Sequence, residues 1–194
     1  MNKKNKLIII SGASGVGKTV VALGLLKENK KLKRVVTYTT RKKRPGEVAG
    51  QDYYFVSENK FNKMVKSKEF FEYARVHNDY YGNAYQEIKK IKSSGQSPVL
   101  VIDVQGGLTV KKKIRRKERL MIFLMPESKE QLKQRIKKRK GNMSKKDLEL
   151  RMRDANKEMK LAGEYDYTVV NKQGKLEETI NRVVEIIKKE NFLL

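Results

Sequence analysis

The octapeptide GASGVGKT, at Gly12–Thr19, constrains the fold of this chain more than any other segment. It fits the pattern G-x-x-x-x-G-K-[ST], and it lies between an apolar run at 6–11 that predicts a buried strand and a segment at 19–28 that predicts a helix. Its glycines allow successive backbone N–H groups to point at phosphate oxygens, and the N-terminus of the following helix adds positive potential. In such a loop the Lys18 ammonium reaches the β- and γ-phosphates, and the Thr19 hydroxyl is a ligand for Mg²⁺. The motif therefore predicts a nucleoside triphosphate site, without separating kinases from GTPases or motor proteins.

Strand and helix patterns alternate along most of the 194-residue chain. Apolar runs predict further strands at 98–103, 119–124 and 167–171. Helical periodicity predicts helices at 84–94, 105–114, 128–139, 145–162 and 175–190. Apolar strands that alternate with helices are typical of a parallel sheet covered on both faces. We therefore expect an α/β fold of the P-loop NTPase kind, with three α/β/α layers and a parallel central sheet.

Residues 34–82 break this regular alternation. Within them the sequence predicts a strand at 34–39, a turn-rich loop at 41–52 and a short helix at 58–67 between aromatic strands. In the run FFEYARV, period-two alternation places Phe71 and Tyr73 on one face of a strand. We expect 34–82 to be a small α/β insert in a single domain whose core holds 1–33, 83–127 and 160–194.

The turn-rich loop carries a cluster of cations. Arg41 and Arg44 are three residues apart around a turn, and paired guanidinium groups suit bidentate capture of a phosphate. Tyr53 and Tyr81 are candidates for additional hydroxyl donors. Taken alone, the loop has a simpler interpretation, because basic side chains usually form solvated surface.

The net charge of +24, from 46 Lys and Arg against 22 Asp and Glu, would attract anionic substrates and polyanions. Cations occur in nearly every segment, whereas a nucleic-acid groove concentrates them, so we expect no dedicated nucleic-acid role.

The absence of cysteine excludes disulfides, thiolate zinc sites and a thiol nucleophile, and the single His77, interpreted as structural, excludes a His-rich metal site. No stretch approaches the ~20 apolar residues of a membrane span or forms a signal-peptide core, so we expect a cytoplasmic protein with no membrane partner.

The order of the motifs resembles that of the guanylate kinase family. Besides the loop at Gly12–Thr19, the shared motifs are Thr39-Thr40-Arg41, Arg44-Pro45-Gly46-Glu47, Gly50-x-Asp52-Tyr53-x-Phe55, Glu69-Phe70-x-Glu72, Tyr80-Tyr81-Gly82 and Ile102-Asp103-x-Gln105-Gly106. The resemblance runs from residue 6 to residue 188, nearly the whole chain. It implies a nucleoside monophosphate kinase that transfers a phosphoryl group from ATP to GMP with Mg²⁺, giving ADP and GDP.

The resemblance also implies roles for individual residues. The ATP-binding residues would be Gly12, Ala13, Ser14, Gly15, Val16, Gly17, Lys18 and Thr19, with Asn171 near the adenine. The GMP phosphate would be held by Arg41, Arg44, Tyr53 and Tyr81, and the guanine by Thr37, Glu72, Asn83 and Asp103. A basic helical lid at 128–159, with a break near Gly141, would bring Arg135, Arg139 and Arg151 to the transferred phosphoryl group beside Lys18 and Arg41. Thr19 would ligate Mg²⁺, and Asp103 would reach it through water. The substrates would be ATP and either GMP or dGMP, and the protein would be a monomer or a homodimer.

The chemistry of guanine supports a carboxylate at Glu72. The guanine edge presents N1–H and N2–H₂ donors, and one carboxylate accepts from both, whereas adenine presents an acceptor at N1 and leaves a buried carboxylate unpaired. Such a mismatch discriminates by roughly 10⁴ in a site built around the hydrogen bond. From the residues alone, the alternatives are a surface carboxylate at Glu72 and, for Asp103, a cap on the following helix.

Four positions depart from the family pattern. Asn83 stands where a small hydroxyl residue is commoner, Val101 where an acidic residue is frequent, and Tyr38 and Thr19 where serine is common. None of these changes removes a group that phosphoryl transfer needs.

The alternatives to an enzyme are a guanylate-kinase-like scaffold domain that binds peptides and a P-loop protein that binds nucleic acid. The complete loop and the arginine pair favour the kinase.

Overall fold

The computed structural model describes residues 6–76, 78–140 and 143–192, and this part of the chain forms two sheets and seven α-helices. The strands are β1 (Leu7–Gly12), β2 (Leu32–Arg34), β3 (Thr37–Thr39), β4 (Tyr53–Phe55), β5 (Phe70–Val76), β6 (Asp79–Ala84), β7 (Ser97–Val101), β8 (Arg119–Pro126) and β9 (Tyr167–Asn171). The helices are α1 (Lys18–Glu28), α2 (Glu58–Lys66), α3 (Tyr85–Ser93), α4 (Val104–Lys113), α5 (Lys129–Lys140), α6 (Lys145–Met159) and α7 (Leu176–Lys189). The predictions for His77 and for the break near Gly141 concern positions outside the described residues. None of the helices in the described ranges is long and apolar enough to cross a membrane.

Five parallel strands form the larger sheet, in the order β2-β7-β1-β8-β9. Side chains of β1 alternate between two apolar layers. Ile8 and Ile10 pack with α1 and α7 on one face, and Leu7 and Ile9 pack with α3 and α4 on the other. All of β1 is buried, because strands flank it on both sides and helices cover both faces. The predicted α/β fold with a parallel central sheet is confirmed.

Four strands form the smaller sheet, in the order β4-β3-β6-β5. β3 and β4 are parallel, and the other neighbours are antiparallel. Helix α2 packs on this sheet through Phe61, whose ring stacks on Phe70 with centroids 4.5 Å apart and on Tyr80 at 5.4 Å. The aromatic residues of this segment therefore supply a second, smaller core.

The single strand predicted at 34–39 is wrong, because this segment divides between the two sheets. Arg34 ends β2, the Val35 N–H still donates to the Val99 carbonyl at 2.9 Å, and Thr37 begins β3 in the smaller sheet. Val35 is fully buried in the core of the larger sheet. The sequence RVVTYT does not reveal such a change of sheet, because alternate residues, Val35, Thr37 and Thr39, stay buried on both sides of it.

The period-two alternation predicted for FFEYARV is also wrong, because a β-bulge interrupts β5. Phe70 pairs with Ala84 and Glu72 pairs with Asn83, so β5 carries one extra residue. Phe71 and Glu72 are consecutive and both buried, whereas Tyr73 keeps 47% of its surface exposed. The bulge turns the carboxylate inward, which excludes the interpretation of Glu72 as a surface residue.

Helices α5 and α6 pack together on the Gly12–Thr19 loop. Leu132 and Ile136 of α5 and Leu148 of α6 form a small apolar cluster with Ala13 of the loop. A Cβ atom at Gly15 would lie 2.8 Å from Ile136 Cγ1, so the close fit of α5 needs glycine there. The cluster ties the position of these two helices to the shape of the loop.

Replacement of Phe61 by alanine tests whether this side chain belongs to a packed core in the smaller sheet. Phe61 is fully buried, and its loss leaves a cavity between Phe70 and Tyr80, so Phe61→Ala should lower the free energy of unfolding by about 3–5 kcal/mol. Urea unfolding measures this change. The control is Val48→Ala at a half-exposed position, which should change the stability by less than about 0.5 kcal/mol. Equal effects of the two substitutions would contradict the assignment of Phe61 to a core.

Candidate active site

A cleft of about 460 Å³ opens between the smaller sheet and the carboxyl ends of β1 and β7. Its volume is typical of sites that hold small molecules. From the larger sheet and its helices the lining includes Ser14, Gly15, Lys18, Thr19, Asp103, Arg151 and Glu158. From the smaller sheet and its loops the lining includes Thr37, Arg41, Arg44, Tyr53, Glu72, Tyr81 and Asn83. Residues that are distant in sequence therefore share one cleft.

The Gly12–Thr19 loop turns sharply at its glycines. Gly15 and Gly17 have φ angles of +87° and +102°, in the region that favours glycine. The Lys18 ammonium folds back across the loop, because its Nζ donates to the carbonyl oxygens of Gly12 at 2.6 Å and Ala13 at 3.2 Å. A cation and the N-terminus of α1 therefore lie at the same end of the cleft.

Two side chains hold this loop through the Val16 carbonyl. Asn171 Nδ2 and Arg135 Nη1 both donate to it, at 2.8 and 2.9 Å. Arg135 Nη2 also donates to the Asn171 carbonyl at 3.2 Å, and the Thr179 hydroxyl donates to Asn171 Oδ1 at 3.1 Å. Arg135 and Asn171 are not among the residues that line the cleft. In this structure they brace the loop from outside it.

Glu158 of α6 also contacts the loop, and sequence reasoning missed it. Its Oε2 accepts a hydrogen bond from the Ser14 N–H at 3.0 Å, across 144 positions of sequence. Burial raises the pKa of Glu158, while the charge of Lys18 and the Ser14 N–H act in the opposite direction. The sequence offers no signal for this contact, because Glu158 lies in a charged helix with Glu149 and Asp154 and matches no motif.

Arg41 and Arg44 are held by an acidic residue of their own loop. Arg41 Nη2 lies 2.6 Å from Glu47 Oε1, and the Arg44 N–H donates to Glu47 Oε2 at 2.8 Å. Partial burial opposes ionisation, but the bonds from Arg41 and Arg44 hold the pKa of Glu47 below its usual range. The Arg41 side chain is only 11% exposed and lies over the Tyr53 ring, 5.3 Å from its centroid. The interpretation of this loop as solvated surface is therefore wrong for Arg41.

Three buried side chains form a chain of hydrogen bonds beside the bulge. Thr37 Oγ1 donates to Asn83 Oδ1 at 2.9 Å, and Asn83 Nδ2 donates to Glu72 Oε1 at 2.6 Å. Burial raises the pKa of Glu72 to about 7, and the nearby Asp103 charge contributes to the rise. The hydrogen bond from Asn83 and the charge of Lys113 act in the opposite direction. Asn83, which departs from the family pattern, is thus the direct partner of the buried carboxylate.

Asp103 combines the two roles that the sequence left open. Its Oδ1 accepts from the Gly106 N–H at 2.8 Å and caps α4, while the residue also lines the cleft. The strand predicted to run to Asp103 ends at Val101, because Asp103 is already the cap. A Cβ atom at Gly106 would lie 2.6 Å from Glu72 Oε2, so the first turn of α4 packs directly on that carboxylate.

Comparison with known proteins decides the family. Residues 4–190 match the sequence model of the family described as guanylate kinase. This chain belongs to the guanylate kinase family. The guanylate kinase of Caldanaerobacter subterraneus subsp. tengcongensis is 38% identical to it over 97% of this chain and 87% of its own length. That of Rickettsia prowazekii is 39% identical over 98% of this chain and 95% of its own length.

A solved structure agrees with this family. The crystal structure of guanylate kinase from Anaplasma phagocytophilum superposes with a TM-score of 0.78 at 31% sequence identity. The match covers 96% of this chain and 86% of that one. The predicted nucleoside monophosphate kinase is therefore confirmed at the level of the family.

In this guanylate kinase-family chain, the residues predicted to bind GMP all line the cleft. They are Thr37, Arg41, Arg44, Tyr53, Glu72, Tyr81, Asn83 and Asp103. Lys18, Thr19 and Arg151 line it as well, whereas the side chain of Arg139 lies outside the described part of the structure. The roles predicted for these residues stay predictions.

The raised pKa of Glu72 predicts that its carboxylate destabilises the fold at high pH. Folding raises this pKa from 4.5 to about 7, so the stability contributed by Glu72 is fully present below pH 4.5 and is lost as the pH rises through 7. Glu72→Gln keeps an acceptor for Asn83 and removes the charge. The Glu72→Gln protein should therefore be more stable than the parent by about 3 kcal/mol at alkaline pH. Below pH 4.5 the two proteins should be equally stable.

Urea unfolding of the parent and Glu72→Gln over this pH range measures the difference. The same substitution at the exposed Glu149 is the control and should change the stability by less than about 0.5 kcal/mol. A stability difference for Glu72→Gln that stays constant with pH would contradict the raised pKa.

Proposed function

We propose that this chain transfers the γ-phosphoryl group of ATP to the phosphate of GMP, giving ADP and GDP, in a reaction that depends on Mg²⁺. One observation carries the proposal: the Gly12–Thr19 loop shares a single cleft with the Arg41–Arg44 pair and with the buried Glu72 carboxylate. Membership of the guanylate kinase family supports it, because relatives that match nearly the whole chain bear that name.

ATP would bind with its phosphates along the Gly12–Thr19 loop. The loop N–H groups and the N-terminus of α1 offer donors and positive potential to an anion. Lys18 would exchange its two carbonyl acceptors for β- and γ-phosphate oxygens, which compete well for an ammonium group because they are charged. The bonds of Asn171 and Arg135 to Val16 would keep the loop in shape during this exchange.

The residues of the cleft fit Mg²⁺. This ion prefers oxygen ligands and is usually held by one or two protein groups together with substrate phosphates and water. The Thr19 hydroxyl and the Asp103 carboxylate both line the cleft, and the described residues contain no group of three His, Cys, Asp or Glu side chains suited to another metal. Thr19 would be a direct ligand and Asp103 a ligand through water. When bound, the ion would neutralise charge on the β- and γ-phosphates.

GMP would bind at the other wall of the cleft. Its phosphate would lie between Arg41 and Arg44, where the hydroxyls of Tyr53 and Tyr81 add donors. Its guanine would donate N1–H and N2–H₂ to the ionised Glu72, while Asn83 keeps its bond to Oε1. Adenine would place its N1 acceptor against the same carboxylate, so the site would reject AMP.

Catalysis would depend on holding two anionic phosphates in line in a dry cleft. The transition state spreads charge over three equatorial oxygens. Three of the cations that line the cleft, Lys18, Arg41 and Arg151, would offset this charge. The predicted role of Arg135 would require it to release the Val16 and Asn171 carbonyls.

We further propose that 34–82 is the GMP-binding insert and that 128–159, which includes α5 and α6, is the lid over the core of 1–33, 83–127 and 160–194.

From the sequence we also propose a cytoplasmic location, a monomeric or homodimeric state and the use of dGMP as well as GMP. We propose in addition a role for Arg139 in phosphoryl transfer and no dedicated nucleic-acid role.

A nucleotide panel tests the proposed activity. With ATP and Mg²⁺, the protein should phosphorylate GMP and leave AMP, CMP and UMP nearly untouched in a coupled assay. Lys18→Ala should abolish turnover, which excludes a contaminating kinase, and Glu72→Gln should raise the KM for GMP and narrow the preference over AMP by about tenfold or more. A preference for any base other than guanine would contradict the proposal.

A second experiment tests the contact between Glu158 and the loop. An ionised carboxylate on the Ser14 N–H competes with a phosphate oxygen for that donor, so Glu158→Gln should bind ATP about fivefold more tightly. Titration calorimetry measures the Kd. Glu149→Gln, an exposed change on the same helix, is the matched control and should leave the Kd unchanged. Weaker or unchanged ATP binding by Glu158→Gln would show that the carboxylate does not compete.

A further inference from the structure

The β-bulge at Phe71 decides where the Glu72 side chain goes. Phe71 has no partner in the register between β5 and β6, since Phe70 faces Ala84 and Glu72 faces Asn83. The extra residue changes which side chains share a face. Phe70 and Tyr73 both approach the Phe61 ring, at 4.5 and 6.3 Å between centroids, whereas Phe71 and Glu72 are buried away from it. Glu72 is two residues after Phe70. In a regular strand without the bulge, the two side chains would share a face, and Glu72 would point to the α2 side.

A lysine at the end of α4 satisfies the backbone of this bulge. Lys113 Nζ donates to the Phe71 carbonyl at 2.6 Å and lies 5.9 Å from the centroid of the Phe71 ring. At the other end of the same helix, Gly106 packs against Glu72 Oε2. Helix α4 of the larger sheet therefore contacts the bulge at two points, one at each of two consecutive residues of β5.

We propose that Lys113 is a positioning residue for guanine recognition, which holds the bulge so that Glu72 points into the cleft. The inference rests on the proposed function, in which Glu72 accepts from guanine. A bulge leaves the extra residue without ladder hydrogen bonds, so a donor to its carbonyl favours this local backbone over a regular strand. The ammonium group supplies that donor with a charge-assisted bond.

The charge of Lys113 has a second effect on the same carboxylate. Among the described residues, the charged groups that act on Glu72 are Asp103, at the cap of α4, and Lys113, at its end. Asn83 of β6 is a neutral donor to Glu72, and Thr37 of β3 acts through Asn83. Asp103 raises the pKa of Glu72 and Lys113 lowers it, so removal of Lys113 should delay ionisation of Glu72 to higher pH.

Three variants separate this role from a structural one. Lys113→Met keeps the aliphatic stem and removes the donor, Lys113→Arg restores a cationic donor, and Lys112→Met removes an equal charge from the preceding, exposed position of α4. The measurements are kcat and the KM values for GMP and ATP, the preference for GMP over AMP, and the pH dependence of the KM for GMP.

Lys113→Met should raise the KM for GMP about tenfold while the KM for ATP stays within about twofold. Its KM for GMP should fall to a plateau at higher pH than in the parent. Lys113→Arg should recover most of the affinity, and Lys112→Met should behave as the parent does. The parent and the variants are compared with the same substrate. Titration of the GMP phosphate therefore affects their KM values equally and cancels in the comparison.

Two results would overturn the inference, and they differ from a failure of the proposed function. If the parent prefers GMP but Lys113→Met matches Lys112→Met in the KM for GMP and in its pH dependence, only the role of Lys113 is lost. If Lys113→Met raises both KM values equally and Lys113→Arg does not rescue it, the residue is structural. If the parent shows no preference for GMP, the proposed function and this inference fall together.

Discussion

The buried carboxylate of Glu72 is the interaction on which the arrangement of the cleft depends. Removal of an ionised group from water is costly unless donors replace its hydration, and here the donor inside the fold is Asn83, which is itself held by Thr37. The first turn of α4 closes on the other oxygen, because a Cβ atom at Gly106 would lie 2.6 Å from it. One acidic side chain thus joins β3, β5 and β6 of the smaller sheet to a helix of the larger one. In the proposed function, the carboxylate that weakens the fold at neutral pH is a binding group, which agrees with the frequent conflict between stability and function in active sites.

Most cations of the cleft lie apart from its acidic wall at Glu72 and Asp103, and Glu158 is an acidic side chain beside the loop. Lys18 and the loop amides supply positive potential at one end of the cleft, and the Arg41–Arg44 pair extends it across the gap. In the proposed reaction this division matches the substrates, whose phosphates meet in the middle while the base of GMP lies at the acidic wall. Proximity and electrostatic stabilisation then come from the same geometry. The high net charge of the chain extends this potential outward and favours the approach of nucleotides.

Local patterns predicted the elements and much of the cleft, but not the contacts that cross the fold. The Gly12–Thr19 loop was predictable because its strand, turn and helix are consecutive, and Glu72 became a candidate only through the ordered motifs of the family. The division of 34–39 between two sheets and the bulge at Phe71 escaped prediction, because both depend on which strands lie alongside. Glu158 and the bracing role of Arg135 escaped it for the same reason, since their partners on the loop are 144 and 119 positions away.

A crystal structure of the protein with GMP and a non-hydrolysable ATP analogue tests the central claim most directly. The account predicts the guanine edge within hydrogen-bonding distance of both Glu72 oxygens and the GMP phosphate between Arg41 and Arg44. It also predicts the triphosphate along the Gly12–Thr19 loop, with its γ-phosphate facing GMP. A base bound away from Glu72, or a monophosphate held elsewhere than at the arginine pair, would contradict it.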